Sequence, residues 1–466
     1  MAITKVTGGL LGNLAVGTGN VALGDTALDD GSLSGDYNTA VGSATGTSIT
    51  TGAENTLIGA FAGDAITVGN HNTFIGIAGS SFTDADYNIA LGNNALNADT
   101  LGSRSTAIGY NALKVQNFTS ATDTYNVAVG HNAGVSVTTS TFNTLVGGLA
   151  GDAITTGGAN TAVGYNALTT STTASNNTSI GRESLRVTTT GSNNVGVGSY
   201  AMYDNTTGGQ NVAVGESALS NNTTASNNVA VGKSALLANT TASNNTAVGF
   251  QALLANTTGA ANTVMGSGAG DNVTTGGDNT FVGNAAGDTV TTGQQITIVG
   301  GYSDASATIQ NATAIGYNTN VTATNNIFLG NTSVSAIKGQ VSFSTYSDER
   351  IKKDIKDTDL GLEFIKELKP RKYKRVAPKD YPEEFKDPNK DDLSNPDYIV
   401  DGLVAQEVKQ TMDKLNVTFS GWDKDENTTK QSLEYPAFVP ALIKAVQELS
   451  TQVDELKAEI QTLKGE

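Results

Sequence analysis

A short motif, Asn-x-Ala-Val-Gly, recurs along most of the sequence at a nearly constant interval. From Gly130 to Gly300 the motif glycine returns at ten successive steps of 17 residues, and copies with other spacings extend the series to Gly24 and Gly330. A unit of this length is too small to enclose a hydrophobic core, so each unit must stack on its neighbours. The repeat therefore restricts residues 20–335 to a stacked, quasi-one-dimensional shaft.

Each unit combines the residues of a short strand with those of tight turns. Val and Ile in the x-Ala-Val segment favour β-structure. The glycine after it and the polar, Asn-rich segment before the next copy supply left-handed turn conformations. This predicts a mainly β fold, either a β-solenoid or an intertwined β-prism. At an interstrand spacing of about 4.8 Å, the 19 units would span roughly 90 Å.

An Ala-Leu pair follows the motif glycine in many units, which places a leucine at the same position of successive layers. In a single thin rod this row is expected to remain partly exposed, and three chains packed around one axis would cover it. The sequence therefore predicts a homotrimer. Over about residues 20–330 the repeats resemble the head repeats of trimeric autotransporter adhesins and repeats of bacteriophage tail-fibre proteins. The leucines are Leu168, Leu185, Leu219, Leu236 and Leu253.

Charged residues and prolines are concentrated at the C-terminal end. Residues 1–346 contain 7 Lys and Arg and 18 Asp and Glu, which leaves 20 and 26 for residues 347–466. All seven prolines lie between Pro370 and Pro440. Because proline interrupts sheet ladders, this change predicts a boundary between the shaft and a different domain, with a connector at 336–346.

Composition also argues against several functions. A net charge of −17 disfavours nucleic acid as a partner, since phosphate binding needs a positive surface. Without cysteine there is no disulfide and no thiolate zinc site. We expect no membrane span, because no 18-residue apolar run occurs, and the first residues do not resemble a secretory signal. Residues 1–19 are predicted to attach the protein to other components.

Polar residues of the shaft offer weak candidates for a metal site. His71 and His131 are the only histidines and lie in different units, so a His-based metal or catalytic site is not expected. Aspartates after Ala-Gly pairs present oxygen ligands of the kind that calcium prefers, but exposed turn aspartate is the favoured interpretation. We therefore expect neither metal nor cofactor. These aspartates are Asp64, Asp152, Asp271 and Asp288.

Three segments of the C-terminal region, 347–355, 402–408 and 433–449, carry the motifs Ser-Asp-Glu-Arg-Ile-Lys-Lys-Asp-Ile, Gly-Leu-Val-Ala-Gln-Glu-Val and Leu-Glu-Tyr-Pro-Ala-Phe-Val-Pro-Ala-Leu-Ile-Lys-Ala-Val-Gln-Glu-Leu. In this order they resemble the intramolecular chaperone domain of endosialidases and phage tail spikes, peptidase family S74. The resemblance covers residues 347–466. It implies an α+β domain that brings three chains into register, lets the β-fibre fold and, in many members, then cuts itself off before the motif serine.

The last part of the chain carries apolar residues at alternating steps of four and three, which predicts a coiled-coil helix at 437–464. β-branched residues at a and leucine at d favour two strands. We retain the trimer, because three short heptads fused to a large trimeric body need not set the stoichiometry. The apolar positions are Leu442, Val446, Leu449, Val453, Leu456, Ile460 and Leu463.

The resemblance also implies a Ser-Lys dyad for self-cleavage. Ser347 would be the nucleophile, Lys352 the base and Tyr346-Ser347 the cleaved bond. A neutral lysine can accept the hydroxyl proton if burial lowers its pKa. The residues alone favour another interpretation, because Ser347 followed by Asp348 and Glu349 is typical of a helix N-cap. On a helix, moreover, positions five apart point about 140° away from each other.

Together these features predict a structural fibre of a phage tail, located in the virion, which binds a host-surface receptor, with a glycan among the candidates, and joins tail or baseplate proteins through its N-terminus. The alternative is a secreted bacterial surface adhesin with the same chaperone. A glycan-degrading enzyme is disfavoured, since it needs paired carboxylates in a cleft. A chaperone is useful to such a fibre, because shifting identical repeats by one unit buries almost the same surface.

Overall fold

A computed structural model shows two compact units, Met1–Thr313 and Ala314–Glu466. The predicted attachment segment lies almost wholly outside the described residues, as does much of the predicted connector. The structure describes residues 17–334, 337–340, 346–377, 380–382, 399–425 and 429–465.

The first unit is a β-solenoid in which each repeat forms one turn. Almost every turn contributes one three-residue strand, and successive strands pair in parallel with a shift of one whole repeat, as in Ala213 opposite Ala230. In the 21-residue unit the short strands β6 and β8 also pair in parallel. The strands as far as the division are β1 (Val21–Leu23), β2 (Thr39–Val41), β3 (Thr56–Ile58), β4 (Thr73–Ile75), β5 (Ile89–Leu91), β6 (Gly102–Ser103), β7 (Thr106–Ile108), β8 (Thr122–Asp123), β9 (Val127–Val129), β10 (Thr144–Val146), β11 (Thr161–Val163), β12 (Thr178–Ile180), β13 (Val195–Val197), β14 (Val212–Val214), β15 (Val229–Val231), β16 (Thr246–Val248), β17 (Thr263–Met265), β18 (Thr280–Val282), β19 (Gln294–Val299), β20 (Asp304–Ala305) and β21 (Gln310–Ile315).

The solenoid decides between the two architectures left open by the sequence, because each turn is closed by a single chain. The middle residue of each strand points into the turn and is buried, while the flanking residues lie on the outside, as Ala162 and Val163 illustrate. At the motif glycine, the backbone of the next turn leaves no room for a side chain. A Cβ on Gly164 would lie 2.5 Å from the carbonyl oxygen of Gly181 in the next turn, and its φ of +140° disfavours other residues.

The expectation that the leucine row needs other chains to cover it is wrong. All five of the leucines named for that row are fully buried within their own chain. The cause is a pair of left-handed residues after the glycine, such as Asn166 (φ 54°) and Leu168 (φ 55°), which turn the backbone so that the Ala-Leu pair faces inward. Leucine burial therefore carries no information about the number of chains.

Side-chain volume is balanced within each turn. The inward position is the fourth residue after the motif glycine. Where it is leucine, the residue at the strand centre is small and the residue three positions after the leucine is polar, as with Ala162, Leu168 and Ser171. Where that position is glycine, large residues fill the space, as with Leu145, Gly151 and Ile154. A Cβ on Gly151 would meet both large side chains at 2.8 Å. The alternation of Ala-Leu and Ala-Gly units is therefore a packing rule for a core of fixed volume.

We predict that Leu236→Ala lowers the free energy of unfolding by about 2–5 kcal/mol, because it leaves a cavity in a closed turn. The matched control is Leu237→Ala, because the neighbouring Leu237 is only half-buried. Chemical denaturation of both variants measures the difference. Equal losses in the two variants would contradict the assignment of Leu236 to the interior.

Buried asparagines connect the turns. The Asn211 amide group donates to Ala225 O at 2.9 Å, and its Oδ1 accepts the backbone N–H of Asn228 at 2.9 Å. The same pattern repeats at successive ladder positions. In the irregular 21-residue unit, where serine replaces the ladder asparagine, Gln116 enters the row and its Oε1 accepts from Asn126 at 2.9 Å. Each turn thus satisfies most of the buried polar groups of the next one, and Asn245, whose Nδ2 has no partner among the described residues, is an exception in the ladder.

One aspartate near the end of this unit is buried and strongly perturbed. Asp304 occupies the inward position that leucine or glycine holds in other turns, and its Oδ1 accepts the backbone N–H of Ala305 at 2.8 Å. Burial, together with a hydrogen bond to the Asp288 side chain, raises the pKa of Asp304 to about 7. Asp304 is therefore expected to carry a proton below neutral pH.

Because the pKa of Asp304 is raised in the folded state, the folded protein binds this proton more tightly than the unfolded chain does. We predict that the free energy of unfolding falls as pH rises from about 4 to 7, by up to about 1.4 kcal/mol per pH unit. Asp304→Asn should flatten this dependence because the amide cannot ionise, whereas Asp278→Asn, on an exposed corner, should leave it unchanged. Thermal melting at several pH values measures both. An Asp304→Asn variant with the wild-type slope would refute the prediction.

The second unit is a small α+β assembly that ends in a long helix, as the sequence predicted. β24 pairs antiparallel with β25, and β26 with β27. Its elements are β22 (Asn320–Val321), β23 (Ile327–Leu329), a 3-10 turn at Glu349–Ile351, α1 (Leu362–Glu367), β24 (Arg371–Tyr373), β25 (Val400–Gly402), α2 (Ala405–Leu415), β26 (Trp422–Lys424), β27 (Gln431–Leu433), a 3-10 turn at Tyr435–Ala437 and α3 (Phe438–Lys464).

Candidate functional site

The segment that carries the predicted dyad begins with a short 3-10 turn at Glu349–Ile351. Its N-cap is Asp348, whose carboxylate accepts the backbone N–H of Arg350 at 2.9 Å. The same carboxylate pairs with the Arg350 guanidinium at 2.6 Å, and this hydrogen bond holds the pKa of Asp348 below its usual range. The sequence-based assignment of the cap to Ser347 is therefore wrong, because the turn starts one residue later.

Ser347 and Lys352 are in direct contact. The Lys352 Nζ lies 2.7 Å from the Ser347 Oγ and donates a hydrogen bond to it. Helical geometry would have separated the two side chains, but the chain leaves the 3-10 turn at Lys352, where φ is −112° and ψ is 147°. The extended residue lets the lysine reach back. The structure thus joins two residues whose spacing on a regular helix argued against contact.

The dyad lies on the surface. Tyr346 is 95% exposed, and every residue from Ser347 to Ile355 is exposed as well. Water therefore has free access to the amine, the hydroxyl and the peptide bond between Tyr346 and Ser347. Amine-assisted attack by serine requires a neutral lysine, and burial is the usual way to favour that form. The chain holds the side chains of Ser347 and Lys352 in contact without enclosing them.

The second and third motifs meet in the core of this unit. Val408 from the second motif and Phe438 from the third pack with Phe364 in one buried cluster. The Tyr435 hydroxyl accepts the backbone N–H of Leu403 at 2.8 Å and so joins the two segments. The residues that connect the motifs are thus structural. The quoted motifs contain them, but nothing in the sequence alone indicated which residues touch.

Two further contacts hold the helices of this core. Glu448 of α3 accepts the first backbone N–H of α1, from Leu362, at 2.7 Å. Arg371 of β24 pairs with Glu407 of α2 at 2.6 Å, and this pairing holds the pKa of Glu407 below its usual range. α3 is therefore anchored at its start by the domain core and by Glu448.

Among the described residues, nothing covers the apolar seam of α3. All seven of its predicted a and d residues are more than two-fifths exposed, from Val453 at 41% to Leu463 at 80%. An open apolar groove of about 660 Å³ continues from this seam at Leu442 and is lined by Ile365, Leu368 and Phe438. A monomer would leave this surface in water.

Residues 347–416 match the family model described as the chaperone of endosialidase. The endosialidase chaperone match begins at Ser347 and includes the dyad and the second motif, whereas the third motif lies beyond it. Together with the solenoid of about 17-residue turns, it fits a protein of the tail-fibre or endosialidase type. No curated protein and no solved structure matches the chain.

The described residues also bear on two other kinds of site. In that part of the chain, no three His, Cys, Asp or Glu side chains converge as a metal-binding group. No helix there combines the length and the apolar composition that a membrane crossing requires.

Proposed function

We propose that the protein is a homotrimeric fibre of a phage tail, in which the endosialidase chaperone domain aligns three chains and promotes folding of the solenoid shaft. The observation that carries the proposal is the match to that chaperone at the end of a long in-register β-solenoid. In the virion, the N-terminal segment would join tail or baseplate proteins, and the shaft would contact a receptor on the host surface.

A surface other than the leucines supports trimerisation of the shaft. The third residue of each strand is mostly Val or Ile and lies on the outer face, for example Ile180 (39% exposed) and Val214 (37% exposed). These side chains form one apolar row, here called the outer row, which repeats at every turn. A partner with the same spacing along its whole length is another copy of this chain, and such symmetric contacts are usual in homo-oligomers.

The exposed seam of α3 supports the same assembly. Seven apolar side chains at heptad spacing would be covered if helices from several chains packed together. The choice of residues at a and d leans towards two helices, but the chaperone family implies three. The groove that continues from Leu442 lies beside the first turns of this seam and would be partly closed by the same association.

The chain contains no cysteine, so single engineered cysteines report assembly without background. We predict that Val214→Cys gives covalent trimers with a three-armed maleimide, because a threefold axis brings identical outer-row residues together. Leu449→Cys should do so through α3. The exposed corner variant Asn227→Cys is the control, and denaturing electrophoresis is the measurement. Monomers in all three variants, with monomeric mass in sedimentation, would refute the trimer.

We further propose that the chain cuts itself between Tyr346 and Ser347 after assembly. The Ser347 Oγ attacks the Tyr346 carbonyl carbon while Lys352 takes the hydroxyl proton. The carbon–nitrogen bond then breaks, the Ser347 nitrogen gains a proton, and an ester to the Ser347 oxygen remains. Water hydrolyses that ester to a Tyr346 carboxylate and a free Ser347 amino group. The 2.7 Å contact between Lys352 and Ser347 supports this assignment.

We predict that Ser347→Ala and Lys352→Met each abolish the cleaved shaft product, since they remove the nucleophile and the base. Lys353→Met is the matched control, because it removes a neighbouring exposed lysine that does not belong to the proposed dyad. Intact-mass measurement after expression detects a product that ends at Tyr346. Cleavage in Lys352→Met equal to that in Lys353→Met would remove lysine from the mechanism.

A further inference from the structure

One corner of the solenoid carries an unusual row of side chains. The residue immediately before each ladder position has left-handed backbone throughout the regular turns, with φ between about 50° and 65°. In seven consecutive turns this corner holds large aromatic or charged residues, here called the corner ridge. They are Tyr37, Glu54, His71, Tyr87, Arg104, Tyr125 and Phe142.

The fold does not require these residues. In later turns the same corner, with the same backbone, carries Asn more often than any other residue, as at Asn176, Asn193, Asn227 and Asn244. Asparagine tolerates left-handed backbone, whereas bulky residues are strained in it. The ridge therefore keeps strained residues at positions where an unstrained alternative serves the same turn, and strain of this kind points to function.

The ridge side chains contact one another from turn to turn. The His71 Nδ1 lies 3.1 Å from the Glu54 carboxylate, and the His71 ring stacks on Tyr87 with ring centroids 4.7 Å apart and an interplanar angle of 7°. The Arg104 guanidinium lies over Tyr87 at 5.1 Å and over Tyr125 at 5.9 Å. From Glu54 to Phe142 the ridge is thus a continuous series of side-chain contacts on the surface of the solenoid.

The stack ends at a free ring face. Tyr125 covers one side of Phe142, with centroids 5.8 Å apart and an interplanar angle of 12°. The next turn carries Ala159, whose methyl group is too small to cover a phenyl ring, and among the residues from 124 to 177 no other ring stacks on Phe142. Phe142 is 59% exposed, so it presents a platform on which a flat apolar surface can stack.

The dimensions of the ridge select the kind of ligand. Six layer steps of about 4.8 Å give a length near 30 Å, but the ridge is only one side chain wide. A strip this narrow suits a thin, linear ligand, whereas a standard protein interface is a broad patch in which each partner buries about 800 Å². A second copy of the chain is also a poor fit, because the ridge occupies only part of a shaft whose outer row runs throughout.

The charged residues of the ridge restrict the class of ligand further. The two basic residues of the ridge each lie beside a carboxylate, with Glu54 at 3.1 Å from His71 and Asp123 at 2.6 Å from Arg104. A polyanion would need unpaired cations along its path. Tyrosines offer an apolar ring and a hydrogen-bonding hydroxyl side by side, which suits a neutral molecule with alternating apolar and hydroxyl surfaces.

We propose that the corner ridge from Tyr37 to Phe142 is a binding site for a neutral glycan chain. One extended hexopyranose residue rises by about one solenoid layer, so successive sugars meet equivalent positions of successive turns. The free face of Phe142 would stack on the terminal sugar, and the hydroxyls of Tyr87 and Tyr125 would bond sugar hydroxyls. Placing that glycan on a host surface rests on the proposed fibre function, whereas binding itself does not.

The test uses the full chain and an immobilised panel of neutral hexasaccharides, of the glucan, mannan and galactan types, with hyaluronan hexasaccharide as the charged probe. Tyr125→Asn and Phe142→Asn introduce the residue that later turns carry at the same corner. They should lower the affinity for the bound neutral glycan by about tenfold or more without lowering the melting temperature. Tyr165→Asn, an equally exposed tyrosine outside the ridge, should bind like the wild type.

Three results would overturn the proposal: no binding of any neutral glycan by the wild type, stronger binding of hyaluronan than of the neutral probes, or equal affinity in the ridge and control variants. A lower melting temperature in the ridge variants, together with unchanged binding, would make the stack a purely structural device. Crosslinking of Val214→Cys is independent of these measurements, so failure of glycan binding and failure of the trimer are distinguishable.

Discussion

Stacking of each solenoid turn on its neighbour, in parallel and shifted by one whole repeat, is the constraint on which the shaft depends. It brings each glycine against the next glycine, as with Gly164 and the carbonyl of Gly181 at a distance that leaves no room for a Cβ. It also aligns the buried asparagines, so that Asn211 serves the backbone of Asn228. A change in one turn is therefore felt by both neighbours.

The inside and the outside of a turn obey different rules under this constraint. Inside a turn, the volume is fixed. One unit has Leu168 where the preceding unit has Gly151, and the two units differ at two other inward positions as well. Outside, side chains are free to vary as long as the backbone conformation is kept. The outer row is apolar along the whole shaft, which suits self-association. The aromatic and charged residues of the corner ridge give way after Phe142 to smaller residues, most of them Asn or Gln, which suits a local ligand.

The uniformity of the shaft also explains the value of the second unit. Equivalent turns make pairings shifted by one repeat nearly equal in energy, so the shaft alone specifies the alignment of several chains poorly. A distinct domain with a unique core and an exposed helical seam breaks that degeneracy. Placing the Ser347–Lys352 contact at its beginning would allow it to be removed once alignment is complete, which leaves a shaft held by its kinetic stability.

The period, the strand positions and the helix at the end were readable from the sequence, because they depend on spacing and on local preferences of Val, Gly and Asn. The direction of the Ala-Leu pair was not readable. It depends on two left-handed residues in each turn, and these reversed the expected exposure of Leu168 and its equivalents. The dyad was likewise proposed from motif resemblance, while its contact depends on the chain leaving a 3-10 turn at Lys352. Sequence thus determined which residues repeat, and only the tertiary structure decided which way they face, because a single backbone torsion moves a side chain from the core to the surface.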